Sequence, residues 1–193
     1  MREKSLVLMK PDTVKRGIVG EILHRFERAG LKIVGAKLVR PDENLAFNHY
    51  PSSDEWKRAV GMRTVDDCEK YGIDLEKNMG TKDPIEIGEK VKQWNMEYLM
   101  SGPVLALVFE GAHAVERVRS LVGATVPVNA LVGTIRGDFS LDSAIAANRK
   151  GRSIYNLIHA SGSLEEAILE IDLWFRPEEI MDYENLNDQI YKY

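Results

Sequence analysis

The sequence has little cysteine, no surplus of positive charge and no long apolar run, and each shortage excludes a class of protein. The single cysteine, Cys68, cannot form an internal disulfide, so the fold does not depend on an oxidising compartment. The net charge of −4 argues against a general nucleic-acid binder, which relies on surplus lysine and arginine. The N-terminus, MREKSLVLMKPD, has too few apolar residues for a signal peptide or a membrane span. We therefore expect a cytoplasmic protein that binds neither nucleic acid nor membrane.

Length and composition predict one soluble domain over residues 1–193. Hydrophobic residues make up 44% of the chain and charged residues 29%, which is ordinary for a globular protein. A chain of this size buries roughly 70% of the surface that it exposes when unfolded, which is enough for one core. Because the net charge is negative, an anionic ligand must meet local positive charge.

Hydrophobic spacing predicts strands that alternate with helices. The order is β-α-β followed by α-β-α-β-α, with uneven connections, so a parallel doubly wound sheet and a split βαβ sandwich both stay open. The tail at about 182–193 is polar and lacks the periodicity of a core element. A charged, mostly helical segment at about 52–91 interrupts the alternation and resembles an insertion. Strands are predicted at 5–9, 31–39, 104–109 and 153–158, and helices at 17–29, 112–121 and 163–173.

Four histidines are candidates for chemistry near neutral pH, where imidazole changes its charge readily. His24 and His113 lie on predicted helices and are interpreted as surface residues. His49 ends a short helix, where a histidine is favourable for electrostatic reasons alone, and is interpreted as structural. His159 differs because it ends an apolar strand and small residues follow it, which leaves its ring accessible. A buried structural histidine is the alternative.

Polar residues near His159 favour a functional role for it over the role of a buried structural histidine. Asn156 lies three residues earlier, and in an extended strand the two side chains would reach one cleft only if the strand bends. Glu170 lies in the next predicted helix and could fold back to orient the imidazole, as in a nucleophile held by a carboxylate. A solvated helix charge is the alternative for Glu170.

Phosphate binding would rest on single cationic side chains, because the sequence contains no Walker motif, no G-x-G-x-x-G after a strand and no metal-ligand spacing. Arg136 lies between two glycines in a predicted loop, where the chain can approach a ligand closely. Lys10 follows the first strand and Arg119 lies on a helix. For each of these three residues an exposed surface charge is an equal alternative.

Lys10, Arg136, Asn156 and His159 belong to segments that occur, in the same order, in nucleoside diphosphate kinases. The sequence resembles that family from about residue 5 to residue 182, outside the insertion and the tail. The resemblance implies a ferredoxin-like α/β sandwich with an antiparallel four-stranded sheet and a helical insertion, and so decides between the two open topologies. The segments are 10–12 (KPD), 16–22 (RGIVGEI), 101–104 (SGPV), 133–139 (GTIRGDF) and 156–161 (NLIHAS).

The resemblance also implies catalytic roles. His159 is expected to accept the γ-phosphoryl group of a nucleoside triphosphate and to pass it to a nucleoside diphosphate in a ping-pong cycle. Glu170 orients its imidazole, Ser161 is the neighbouring hydroxyl, and Lys10 and Tyr50 lie close to the transferred group.

Nucleotide binding is implied at further positions. Mg²⁺ would arrive with the nucleotide, bound through phosphates and waters, with no metal ligand from the chain. Family members form homo-oligomers, and we expect a hexamer rather than a tetramer. The residues expected to hold the nucleotide are Lys10, Val91, Arg119, Thr125, Arg136 and Asn156.

Four departures from the family pattern affect these expectations. Gly162 stands where an aspartate is usual, so the Mg²⁺ shell is expected to differ. Val126 replaces a common asparagine. Counting back from 101–104 puts Val91 where an aromatic normally stacks on the base, and Trp94 is the nearest large ring. A second insertion is predicted at about 142–152.

Two other function classes fit the same residues. One is a nucleotide-binding or regulatory module without catalysis, because a fold does not fix a function. The other is a structural protein whose insertion and tyrosine-rich tail bind a partner. Phosphate exchange between ATP and GDP separates both classes from a kinase.

Overall fold

The computed structural model describes residues 2–191 and contains one four-stranded sheet in that part of the chain. Its strand order is β2-β3-β1-β4 and each neighbouring pair is antiparallel, which confirms the split βαβ topology and excludes the parallel one. The predicted tail extends to residue 193, and its last two residues lie outside the described part. The strands are β1 (Arg2–Met9), β2 (Lys32–Val39), β3 (Val104–Ala112) and β4 (Ile158–Ala160).

Helices cover both faces of the sheet. The predicted 52–91 segment is helical, as expected, and residues 80–83 form the loop before its last helix. The helices are α1 (Pro11–Lys15), α2 (Val19–Arg28), α3 (Glu43–His49), α4 (Asp54–Lys70), α5 (Leu75–Met79), α6 (Pro84–Met100), α7 (Ala114–Val122), α8 (Ile135–Phe139), α9 (Ala144–Arg149), α10 (Leu164–Trp174) and α11 (Leu186–Tyr191).

The almost unbroken apolar run of β1 is explained by burial on both faces. Side chains alternate across a strand, so Val7 and Met9 pack beneath α2 and α7, while Leu6 and Leu8 pack on the opposite face. All four side chains are fully buried. The polar end of this central strand therefore emerges from the middle of the core, at Lys10.

Helices α4 and α6 pack unusually closely because glycines lie at their contact. A Cβ atom on Gly61 would collide with the carbonyl oxygen of Pro84, and one on Gly88 would collide with that of Lys57. Only glycine lets two helix backbones approach this far. The two helices therefore pack with their backbones in direct contact.

The segment around α9 contacts that pair. Helix α9 packs against α4 and α5, and its ends are joined by Asp142 and Arg152, whose carboxylate and guanidinium make two hydrogen bonds of 2.6 and 3.0 Å. The two segments expected to be insertions, far apart in sequence, thus lie side by side.

The C-terminal segment is bound to the sheet by contacts of a charged side chain in β2. The buried ammonium of Lys32 in β2 lies 2.7 Å from Glu110 Oε1 and 3.1 Å from Asp188 Oδ2, and it donates to the carbonyl of Tyr183 at 2.6 Å. Ion pairs and hydrogen bonds therefore hold the described part of the tail against the sheet. None of the helices within residues 2–191 is both long enough and apolar enough to cross a membrane.

Candidate active site

His159 lies in β4 directly opposite Leu8 of β1. Its Nε2 is 2.7 Å from Glu170 Oε1, and Ser161 Oγ donates to the other carboxylate oxygen at 2.6 Å. Because an ionised carboxylate only accepts hydrogen bonds, the neutral ring carries its proton on Nε2 and Nδ1 keeps a free lone pair. The side chain is 23% exposed. The ring is thus held at one nitrogen and available at the other.

The strand predicted over 153–158 is wrong, because β4 comprises only Ile158–Ala160. The cause is Leu157, whose φ of 67° lies in the left-handed region that a residue with a branched side chain rarely adopts. Its N–H donates to Asp12 Oδ2 at 3.1 Å, and its carbonyl accepts from the backbone N–H of Lys10 at 2.8 Å. These bonds offset the strain and produce the bend that Asn156 needs to share a cleft with His159.

A cleft of about 1500 Å³ opens beside His159. Nine of the ten predicted site residues line it, whereas the tenth, Ser161, is fully buried and contacts Glu170. The nine are Lys10, Tyr50, Val91, Arg119, Thr125, Arg136, Asn156, His159 and Glu170.

Lys10 is a buried cation beside the cleft. Its ammonium donates to Asn156 Oδ1 at 2.9 Å, and the amide nitrogen of Asn156 donates to the carbonyl of Thr125 at 3.0 Å. Burial, together with the positive charge of Arg136, lowers the pKa of Lys10 to about 7. An anion bound beside it would favour the charged form, so Lys10 gains positive charge when a phosphate arrives.

Arg136 is placed differently from the expectation. It lies in helix α8, not in a loop, and it is 7% exposed, which rules out the alternative of an exposed surface charge. Its guanidinium donates to three backbone carbonyls, those of Gly123 at 3.0 Å, Asn156 at 3.1 Å and Ile158 at 2.6 Å. Burial, with the charge of Arg119 nearby, lowers its pKa to about 10. The residue holds together the segments that carry the site.

Two predicted residues lie at the outer part of the cleft. Arg119 on α7 and Thr125 after that helix are both exposed. Within residues 2–191 the guanidinium of Arg119 makes no ion pair, so its charge is free for a ligand. Arg119 and Arg136 thus supply one exposed and one buried cation to the same cleft.

Tyr50 follows α3 and lines the cleft next to His49. Its hydroxyl is buried and has no hydrogen-bond partner among residues 2–191. Burial, and the negative charge of Glu170, raise the pKa of its phenol above the ordinary value. The phenol therefore stays protonated and can donate a hydrogen bond to an incoming group.

One wall of the cleft comes from the closely packed helix pair, α4 and α6. Val91, Trp94 and Asn95 on α6 and Trp56 on α4 line it. Val91 and both tryptophans are half-buried. This wall therefore offers apolar surface, with two indole rings in addition to Val91.

His49, interpreted from the sequence as structural, lies in the cleft against His159. Its ring centroid is 4.4 Å from that of His159, and the two rings are nearly perpendicular, at 83°. The only sequence signal was its position beside Tyr50 at a helix end. That signal does not distinguish it from a histidine placed to favour the helix dipole.

A histidine held by a carboxylate, with buried and exposed cations around it, is an arrangement suited to phosphoryl transfer, in which positioning and charge stabilisation matter most. Comparisons with known proteins identify one family. A sequence model described as nucleoside diphosphate kinase matches residues 3–60 and 88–180. The chain belongs to the nucleoside diphosphate kinase family.

Related sequences match over nearly their whole length. A nucleoside diphosphate kinase from Pyrobaculum aerophilum is 48% identical over 180 residues, covering 93% of this chain and 98% of that protein. One from Borreliella burgdorferi is 39% identical over 183 residues, covering 94% and 92%.

Solved structures agree with these matches. An NDP kinase from Pyrobaculum aerophilum superposes with a TM-score of 0.92 at 46% identity, covering 94% of this chain and all of that one. A transition-state mimic of the Borrelia burgdorferi enzyme, with bound vanadate and ADP, has a TM-score of 0.77 at 38% identity, covering 98% and 96%.

Proposed function

We propose that the chain transfers the γ-phosphoryl group of a nucleoside triphosphate to a nucleoside diphosphate through a phosphohistidine on His159. The observation that carries this proposal is the free lone pair on Nδ1, left available because Glu170 engages Nε2. In the first half-reaction Nδ1 attacks the γ-phosphorus, the bond to the β–γ bridging oxygen breaks, and the diphosphate leaves. In the second, a terminal oxygen of another diphosphate attacks the phosphohistidine and frees Nδ1.

The cations stabilise the charge on the transferred group. Phosphoryl transfer needs little covalent help, so positioning and electrostatic stabilisation supply most of the rate. Lys10 and Arg136 both lie beside β4, since Lys10 contacts Asn156 and Arg136 donates to the carbonyl of Ile158. The exposed Arg119 holds the phosphates further out in the cleft. Asn156, fixed between Lys10 and Thr125, contributes hydrogen bonds to the sugar.

Glu170 and Ser161 act on the nucleophile rather than on the nucleotide. The carboxylate keeps the proton on Nε2 and stabilises positive charge on the phosphorylated ring. Ser161 donates to that carboxylate and also accepts from the backbone N–H of Leu6 at 3.1 Å, which fixes its position. Tyr50 supplies a neutral donor beside them.

Mg²⁺ is proposed to enter with the nucleotide and to neutralise phosphate charge when it is bound. Both carboxylate oxygens of Glu170 are already engaged. The exposed Glu166 also lines the cleft and uses one oxygen to accept from the Gly162 N–H at 2.8 Å. This donor set fits a metal held by phosphates and waters, and Glu166 is the carboxylate of the cleft that would accept hydrogen bonds from those waters.

The base is proposed to lie against the helix-pair wall that contains Val91. Apolar contact discriminates weakly between bases, so purine and pyrimidine nucleotides should both be accepted. The test is a transfer assay with ATP as donor and each of GDP, CDP and UDP as acceptor. Comparable catalytic efficiencies are expected for the three acceptors. One acceptor favoured by several orders of magnitude would exclude purely apolar contact between the base and this wall.

The same assay tests the function itself. Label from the γ-position of ATP should appear in GTP, and the His159→Ala variant should form none while retaining nucleotide binding. Nucleotide binding without transfer in the parent protein would instead indicate a non-catalytic module.

We also propose that the chain forms a homo-oligomer in the cytoplasm, with a hexamer favoured over a tetramer. Support comes from large apolar side chains left exposed on one stretch of chain: Leu131 is 78% exposed, Val132 91% and Leu141 96%. Burial of such residues between subunits is favourable. Light scattering of the purified protein should give a mass several times that of one chain, and a monomer would contradict the proposal.

A further inference from the structure

His49 contacts the reactive histidine without belonging to the machinery described above. It ends α3, is 7% exposed, and packs its ring nearly perpendicular to that of His159 with centroids 4.4 Å apart. The two nitrogens of a histidine buried this deeply are expected to have hydrogen-bond partners, and a nitrogen without one calls for an explanation.

The tautomer of His49 follows from its one hydrogen bond. Trp174 Nε1 lies 3.3 Å from His49 Nδ1, and an indole N–H can only donate. Nδ1 is therefore the acceptor and the neutral ring carries its proton on Nε2, which is buried without a partner among residues 2–191. Burial, with His159 and Lys10 nearby, holds the pKa of His49 well below its ordinary value. The ring is thus neutral and has one fixed tautomer.

This tautomer argues against a metal site. Donor atoms of His49, His159 and Glu170 lie within 4.8 Å of one another, a set that resembles a two-histidine, one-carboxylate zinc group. A metal needs an unprotonated nitrogen on each ring. His49 has none to offer while Trp174 occupies Nδ1, and the free nitrogen of His159 is the one assigned to phosphoryl transfer.

The remaining role is orientation. The χ2 torsion of a histidine is broad, and a single hydrogen bond tolerates a range of angles. Glu170 alone therefore leaves the ring of His159 some freedom. A second ring packed perpendicular to it removes much of that freedom, and a neutral ring does so without repelling the positive charge that develops on the phosphorylated imidazole.

We propose that His49 is a positioning residue whose neutral ring fixes the plane of His159 and so aims Nδ1 at the γ-phosphorus. The proposal rests on the proposed function, because it assigns a direction to that nucleophile. Misplacement of a reacting atom by about 1 Å can lower a rate by a factor of about 100. According to this proposal, the rate of phosphoryl transfer to His159 depends on a planar ring at position 49 and not on the nitrogen atoms of that ring.

The variants separate the ring from its nitrogens. His49→Leu removes the ring. The double variant His49→Phe with Trp174→Phe keeps a planar ring and also removes the indole N–H that would lose its acceptor, since replacing both partners of a buried hydrogen bond is close to neutral. If His49→Leu fails to fold, His49→Gln takes its place, because its amide can accept from Trp174 but carries no ring.

The measurement is the single-turnover rate of His159 phosphorylation by Mg-ATP, corrected for the fraction of the protein that can be phosphorylated. The Kd for ADP is measured for each variant as well. His49→Leu or His49→Gln should be slower by about tenfold or more, on the scale of a misaligned nucleophile. The double phenylalanine variant should lie within about threefold of the parent, and ADP affinity should not change in any of them because the phosphate-binding cations are intact.

The proposal would be overturned by a ringless variant as fast as the parent, or by a double phenylalanine variant as slow as the ringless one. Failure of the parent protein to become phosphorylated would count against the proposed function instead. A loss of ADP affinity equal to the loss of rate would mean that His49 only supports the fold of the cleft.

Discussion

Glu170 and Trp174 lie one turn apart on α10, and each makes a hydrogen bond to a different histidine of the cleft. Glu170 Oε1 is 2.7 Å from His159 Nε2, and Trp174 Nε1 is 3.3 Å from His49 Nδ1. Residues four apart share one face of a helix, so a single rigid element orients both rings. The placement of α10 therefore sets the orientation of both imidazole rings.

Replacing the carboxylate should affect turnover rather than binding. Glu170→Gln keeps the shape of the side chain but removes the charge that stabilises the phosphorylated ring, so kcat should fall on the order of tenfold or more, the value of a hydrogen bond to a charged group. ADP affinity should stay close to that of the parent. Asp172→Asn, the same change at an exposed position of α10, is the control. Equal losses of kcat and affinity in Glu170→Gln would show that the carboxylate belongs to the binding surface.

Lys10 should make the stability of the protein depend on pH. Its pKa is about 7 in the folded protein and near 10.5 in the unfolded chain. Between these values the unfolded chain binds more protons, so the free energy of unfolding rises with pH, and below about pH 7 the full cost of burying the charge is present. Lys10→Met lacks this cost, so its stability advantage over the parent should be larger at pH 6.5 than at pH 9, measured by urea unfolding. An advantage that does not change with pH would contradict the low pKa.

The two arginines should separate stability from catalysis. Arg136→Ala leaves three buried carbonyls without their donor, so we expect a loss of about 3 kcal/mol or more in the free energy of unfolding, in addition to lost activity. Arg119→Ala removes an exposed cation and should lower kcat/KM on the order of a hundredfold with an unchanged urea midpoint. Matching effects on stability from both variants would refute the structural role of Arg136.

The close approach of α4 and α6 should tolerate no added side-chain atom. Gly61→Ala and Gly88→Ala each place a methyl group against a backbone carbonyl and should destabilise the protein by about 1–3 kcal/mol. Nucleotide affinity should fall with them because this pair forms a wall of the cleft. Gly20→Ala on α2 is the control, since its Cβ would meet nothing within 4 Å. Thermal unfolding no different from that of the control would show that the helices can separate freely.

The sheet and its long helices were predictable because burial imposes its period on the sequence. The apolar run of β1 and the helical spacing of α2 and α7 follow from the faces that they bury. Periodicity could not choose the topology, however, because an antiparallel and a parallel sheet can bury the same strands. That choice came from resemblance, and the observed pairing confirms it.

The features of the site that were not predicted are those in which long-range contacts override the local sequence pattern. Leu157 belongs to a run that predicts a strand, yet hydrogen bonds to the region after β1 hold it in a left-handed conformation. Arg136 stands between glycines typical of a loop, but its three carbonyl partners lie in other segments. His49 meets Trp174 across 125 residues of sequence. No local signal encodes such partners.

The central claim is a covalent intermediate on His159, and the mass of the intact protein after brief incubation with Mg-ATP tests it most directly. We predict a gain of one phosphoryl group per chain, which is labile to acid, stable to alkali, reversed by ADP, and absent from His159→Ala. The modified peptide should map to residue 159. An active preparation that gains no phosphoryl group, or that carries it on another residue, would contradict this mechanism.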